Sequence, residues 1–208
     1  MIMRIGLRTT TIVATASLLS APALAHHGMD LQLPRTLLDG LISGLAHPVI
    51  GLDHLLFVLA AGLLAARFER GAMLPVAFAC AGLAGAALHV RGVGLPGGEL
   101  GVALSLVVVG VVLAAGLAMS RPAAATLFAI AGFLHGHALA EAIVGAEPTP
   151  LAAYLAGFAL VQAAIGVAVC LAARRAMAMA SDATVLGGRI AGAVVAAAGL
   201  GFATLALA

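Results

Sequence analysis

The chain has 208 residues, 63% hydrophobic and 9% charged, with a mean hydropathy of +1.20 and a formal net charge of +2. This composition excludes a soluble domain and indicates an all-α, polytopic membrane helix bundle. There is no lysine, so the chain holds no Gly-x-x-x-x-Gly-Lys phosphate loop, and nothing in its charge pattern suggests a nucleic-acid partner.

Residues 1–25 read as a cleavable signal peptide. Arg4 and Arg8 form a basic start, Thr9 to Leu19 an apolar run, and Ala23-Leu24-Ala25 a small-x-small cleavage site. Residues 26–46 form a periplasmic segment. In it Leu37, Leu38, Leu41, Ile42 and Leu45 recur at helical spacing, which suggests a short interfacial helix. Residues 47–208 are the membrane domain. Crossing a bilayer takes about 20 apolar residues. Six transmembrane helices fit, at 48–66, 73–91, 100–119, 123–144, 151–173 and 189–207. Pro48 suits the first turn of the first span, where a missing N–H costs nothing, and Arg174-Arg175 mark the end of the fifth. The two cysteines, Cys80 and Cys170, read as buried small hydrophobes. The Gly188-x-x-x-Gly192 spacing suits close helix packing.

Arg67, Arg70, Arg121, Arg174, Arg175 and Arg189 fall in alternate loops on one side, and Arg35 and Arg91 on the other. The richer side is then cytoplasmic and the mature N-terminus periplasmic, in a bacterial inner membrane. All seven histidines map to the outer surface or outer half of the membrane, with most of the carboxylates. Such a face concentrates cations.

Two segments carry the chemistry. In His47-Pro48-x-x-Gly51-x-Asp53-His54, the two histidines lie about 20° short of two full helical turns apart. They share a face on a continuous helix, with Gly51 between them leaving room for an ion. Asp53 either binds directly or orients an imidazole. Sinking an Asp into a membrane costs about 2.5–3.5 kcal/mol, and a metal ion supplies the compensating partner. The second segment is His135-Gly136-His137-Ala138-Leu139-Ala140-Glu141. His137 and Glu141 are four apart and share a face. His135 lies about 200° from His137 on an ideal helix, so either histidine can join Glu141, but all three cannot unless Gly136 distorts the backbone. Imidazole with carboxylate suits Ni²⁺, Co²⁺ or Zn²⁺. Secondary candidates are His89, which reads as a plain interface histidine, Glu99 at a helix start, and Gln162 inside the fifth helix. Gln162 either bonds between helices or lines a path.

These residues resemble the HupE/UreJ family of bacterial membrane proteins, linked to hydrogenase and urease maturation. The likeness rests on the first motif, on Leu95-Pro96-Gly97-Gly98-Glu99, on His135-Gly136-x-Ala138-x-x-Glu141, and on Gly145-Ala146-Glu147-Pro148-Thr149-Pro150. It implies uptake of nickel or cobalt, with His47, Asp53 and His54 at one site and His135 and Glu141 at a second. Many members carry a further histidine near Leu139, which makes the second site leaner here. The leading expectation is therefore a secondary Ni²⁺ or Co²⁺ permease and not an enzyme. A membrane zinc hydrolase assisted by Ser105 and a non-transporting metal-delivery protein are the alternatives, and the sequence leaves the oligomeric state open.

Overall fold

The computed structural model describes residues 33–179 and 182–208, so the signal peptide and His26-His27 lie outside the described residues. Seven α-helices follow one another: α1 Leu37–Ile50, α2 Leu52–Ala65, α3 Met73–Val90, α4 Gly98–Ala114, α5 Arg121–Leu139, α6 Pro148–Ala178 and α7 Asp182–Ala206. A 3₁₀ turn, Ala140–Ile143, follows α5. No strand occurs among the described residues.

The first predicted span is built differently from expectation. α1 starts eleven residues before Pro48, where Thr36 and Asp39 close a reciprocal capping box with both bonds at 3.1 Å. Pro48 therefore sits in the last turn of α1 and not at a helix start. There its ring removes a helical donor and the helix soon ends. Gly51 is extended (φ −67°, ψ 102°), and α2 leaves it at 75° to α1. What reads as a helix from 48 is thus the second half of a broken span. α1, expected in the interface, instead packs along α6. Gly40 meets the backbone of Pro150, and Gly44 that of Tyr154. Small residues at that seam let the two backbones touch.

α2 becomes the central helix, in contact with every other. Phe57, Ala60, Ala61, Leu64 and Ala65 on it are fully or almost fully buried. Three closely packed pairs surround it: α1 with α6, α3 with α5, and α4 with α7. The α3–α5 pair locks through glycines on both helices. Gly82 lies against the Gly136 and Gly132 backbones, and Gly85 against Phe133 and His137. In the α4–α7 pair, Gly192 meets Gly110 and Leu113. Gly188, expected to share that role, faces open space.

Helix ends also differ from expectation, for local reasons. α4 stops at Ala114, not 119, because Gly116 (φ +66°) closes a left-handed cap: Leu117 N–H bonds Val112 at 3.0 Å and Gly116 N–H bonds Leu113 at 3.2 Å. α6 runs through Arg174-Arg175 to Ala178, since arginine is a good helix former. Cys80 is exposed on the outside of the bundle, while Cys170 is buried as expected.

Among the described residues, α3, α5 with its 3₁₀ turn, α6 and α7 are long and apolar enough to cross a membrane, and the bent α1–α2 pair makes a fifth, broken span. α4 has 17 residues, about 26 Å of helix, and is short for a hydrocarbon core of about 30 Å. By length and composition the described residues thus give four spans, or five with the bent pair counted as one, against the six expected. The arginine face holds together as a unit. Arg67 donates to the Leu113 and Leu117 carbonyls at the end of α4, both at 3.4 Å, although burial pulls its guanidinium below its ordinary value. Arg174 donates to Phe68 O and Arg189 to Ala114 O, each at 2.9 Å.

Two equal substitutions should give opposite results. Gly136→Ala pushes a methyl into the Gly82 backbone and should cost about 1–3 kcal/mol. Gly188→Ala meets nothing within 4 Å and should gain up to about 1 kcal/mol of helix propensity. Thermal unfolding of the purified protein in detergent reads both.

Candidate metal centre

His54 lies in the first turn of α2, in the middle of the bundle, only because the chain breaks at Gly51. A helix start leaves backbone N–H groups without partners. Asp53 Oδ1 takes one of them, accepting from His54 N–H at 2.9 Å, while its Oδ2 stands 3.5 Å from His54 Nδ1. That second distance suits charge attraction and exceeds a good hydrogen bond. Asp53 therefore anchors the backbone of the residue whose ring it faces. Gly51 nestles among these groups. A Cβ there would lie 3.3 Å from His47 O, 3.4 Å from Asp53 Oδ1 and 3.5 Å from the His54 ring.

His54 meets the fourth predicted span directly. Its Nδ1 is 3.1 Å from Nδ1 of His135, and both rings are buried, His135 completely. On its other side, His135 Nε2 lies 3.0 Å from Ser105 Oγ. Ser105 donates to the Val102 carbonyl at 2.6 Å, which makes its oxygen the acceptor for a proton on Nε2. The Nδ1 lone pair of His135 then faces His54. The rings of Phe57 and Phe78, stacked at 5.1 Å, pack against His135 at 4.7 and 5.6 Å on the arginine side of the pair.

His137 points to the other side of α5, as the 200° separation requires. Its Nδ1 is 3.1 Å from Nδ1 of His89, and its Nε2 donates to the Val93 carbonyl at 2.9 Å. Gly92 (φ +80°) puts that carbonyl in place. It closes a left-handed cap on α3, in which Val93 N–H bonds Leu88 and Gly92 N–H bonds His89. His89 is therefore not a plain interface histidine. Pairing with His137 is long-range, and no local pattern announces it.

Other expectations fare differently. The continuous-helix geometry proposed for His47 and His54 fails at the 75° break. His47 Nδ1 instead donates to the hydroxyl of Tyr154, which donates to Leu139 O; the two contacts are 2.9 and 2.6 Å. Glu141 is exposed and lies in the 3₁₀ turn, because α5 ends at Leu139. The α-helical four-residue spacing from His137 no longer applies there. Glu99 is exposed in the first turn of α4, where the helix dipole favours a carboxylate. Gln162 is 1% exposed on α6, beside Gly82, and neither Nε2 nor Oε1 has a hydrogen-bond partner. The inter-helix bond expected as one option is not made.

The donors suit a transition-metal dication. Two nitrogens that each bind one ion at about 2.1 Å stand about 3 Å apart when the angle between them is near a right angle. The His54–His135 spacing matches that. Each α5 histidine also has its far nitrogen held by an acceptor, the usual arrangement behind a metal-binding imidazole. Among the described residues, no three His, Cys, Asp or Glu side chains converge on a single point. An ion held by the His89–His137 pair, where His89 is only half-buried, would therefore keep water in its remaining positions.

Tyr154 ties α1, α5 and α6 together, so Tyr154→Phe removes two bonds at once. It should lower stability by about 1–3 kcal/mol, read as a fall in the thermal midpoint, with the helical circular dichroism unchanged.

Protein HupE of Rhizobium leguminosarum bv. viciae is 32% identical over 133 residues, covering 63% of this chain and 67% of that protein. No solved structure gives a significant match. The family model described as HupE / UreJ protein matches residues 13–202, almost the whole sequence, and the chain belongs to that family.

Proposed function

We propose that the chain is a secondary permease that takes up Ni²⁺ or Co²⁺ across the bacterial inner membrane, with its mature N-terminus periplasmic, in support of hydrogenase or urease maturation. The observation that carries this reading is the buried Nδ1–Nδ1 contact of 3.1 Å between His54 on the central helix and His135 on α5. A pair of imidazoles sealed inside apolar packing is costly unless something compensates for it. Here a single proton shared between two nitrogens, or a dication in its place, does so. Asp53 adds the one carboxylate beside the pair and offsets charge the ion brings. His47, tied to Tyr154, holds the end of α1 next to the break. Glu99 and Glu141, both exposed, add negative charge on the outer side. Zn²⁺ fits the same donors, and ion choice is a matter for the assay.

Inward movement needs no ATP. The membrane potential supplies about 4.6 kcal/mol per 100 mV to a dication. Gln162 is the one buried polar side chain of the described core without a partner, and an unpaired buried amide costs about 1–3 kcal/mol. We assign it to the ion's path, where its carbonyl oxygen can replace a water ligand.

The hydrolase alternative draws on the 3.0 Å contact between Ser105 and His135. Its weakness is the proton: Ser105 gives it to Val102 O at 2.6 Å and so faces His135 as an acceptor, not as a nucleophile handing a proton to a base.

Radiolabelled Ni²⁺ and Co²⁺ uptake into proteoliposomes tests the reading. His54→Ala, His135→Ala and Asp53→Ala should each reduce uptake at least tenfold with normal protein yield. Uptake equal to wild type in His54→Ala and His135→Ala would overturn it. Ion binding without any uptake by the wild type would favour a delivery protein instead. Gln162→Leu should raise the thermal midpoint, because it removes an unpaired amide, and should slow uptake severalfold. Unchanged uptake would remove Gln162 from the path.

A further inference from the structure

Beside the sealed pair the bundle holds a second one with the same internal logic. His137 Nδ1 faces His89 Nδ1 at 3.1 Å, the same separation as in the first pair. In both, the histidine on α5 has its Nε2 fixed by an oxygen acceptor, Ser105 Oγ in one and Val93 O in the other. Each α5 imidazole is thus held from rotating, with its Nδ1 lone pair directed at the partner histidine. His135 and His137 are two residues apart, so the pairs lie on opposite sides of α5 and cannot share one ion.

They differ in access. The inner pair is 5% and 0% exposed, whereas the outer pair joins His137, also 5% exposed, to a half-buried His89 that adjoins the exposed Gly92–Gly94 loop. Glu141, also exposed, lies near enough to act electrostatically on His89. A packing pair needs neither a carboxylate neighbour nor an opening to water, whereas a capture site for a dissolved cation needs the opening and gains from the carboxylate.

We propose that His89 and His137 form a second binding station for a transition-metal dication, on the outer surface and separate from the His54–His135 pair. It takes the ion through two Nδ1 atoms with waters completing the shell, and Glu141 acts as the electrostatic attractor. Its role as first stop of an uptake route rests on the importer reading. The existence of the station does not.

The test is the stoichiometry of Co²⁺ binding to the purified full-length protein in detergent, followed by titration calorimetry and by the visible d–d absorption of imidazole-bound Co²⁺. Wild type should bind two equivalents. His137→Ala should bind one, and so should His54→Ala. His89→Gln, at a half-buried position that tolerates change, should also bind one equivalent, so the result survives if His137→Ala fails to fold. Glu141→Gln should keep both equivalents and weaken the outer one about two- to tenfold at low salt. One equivalent in wild type, lost in His54→Ala and retained in His89→Gln, would overturn the proposal, as would two equivalents retained in His89→Gln. Uptake assays on the same variants keep the two readings apart. Two bound equivalents with no transport would sink the importer and leave the station standing.

Discussion

The structure depends on the break at Gly51. The chain bends 75° there, and α2 starts at Leu52, whose side chain is 48% exposed, and carries His54 into the buried bundle two residues later. A helix start carries partial positive charge and unpaired N–H groups, both costly beside apolar packing. Asp53 answers both: its carboxylate accepts the His54 N–H and sets a negative charge at the positive end. The same carboxylate faces the His54 ring. One residue thus makes the break tolerable and offsets the dipole that would otherwise repel a cation from His54. Broken helices in transport proteins commonly bring backbone ends to a binding site in this way.

Backbone contact between glycines turns that local feature into a site. His135 reaches His54 only if α5 lies close to α3 and both lie against α2. Gly82, Gly132 and Gly136 permit the α3–α5 approach, and in lipid such packing replaces the hydrophobic drive that water would supply. The arginine end is secured separately. Arg67, Arg174 and Arg189 donate to carbonyls at helix and turn ends. These bonds draw the α2–α3 turn, the end of α4, α6 and α7 into one face, opposite the histidines. The charge asymmetry that suggests orientation is also a structural clamp.

Much of this was legible in the sequence, and the failures have physical causes. Apolar runs and turn residues located the helices. The geometry of an ideal helix correctly separated His135 from His137. Local preference alone allows Pro48 at a helix start, but it lies in the last turn of α1. α1 continues through it to Ile50 because Gly40 and Gly44 dock on α6, a contact no local pattern reveals. Glu141 was tied to His137 by a four-residue rule that holds only while the α-helix lasts, and α5 ends at Leu139. The pairing of His89 with His137 spans 48 residues. Gly92, whose left-handed cap sets Val93 beside His137, was the one local hint, and alone it indicates only a helix end.

The two stacked phenylalanines bear on how an importer of this design would work. Phe57 is one turn beyond His54 on α2, and Phe78 lies across from it on α3. Together they close the arginine side of His135. A cation between His54 and His135 would therefore meet two aromatic rings on the arginine side. Those rings are tightly packed, with Phe57 0% and Phe78 2% exposed, so rotamer change at one ring alone would leave the floor shut. Both rings also sit on helices packed along their length, and α2 touches every other helix. Opening that floor would take concerted movement of α2 with its neighbours, not rotation of one side chain.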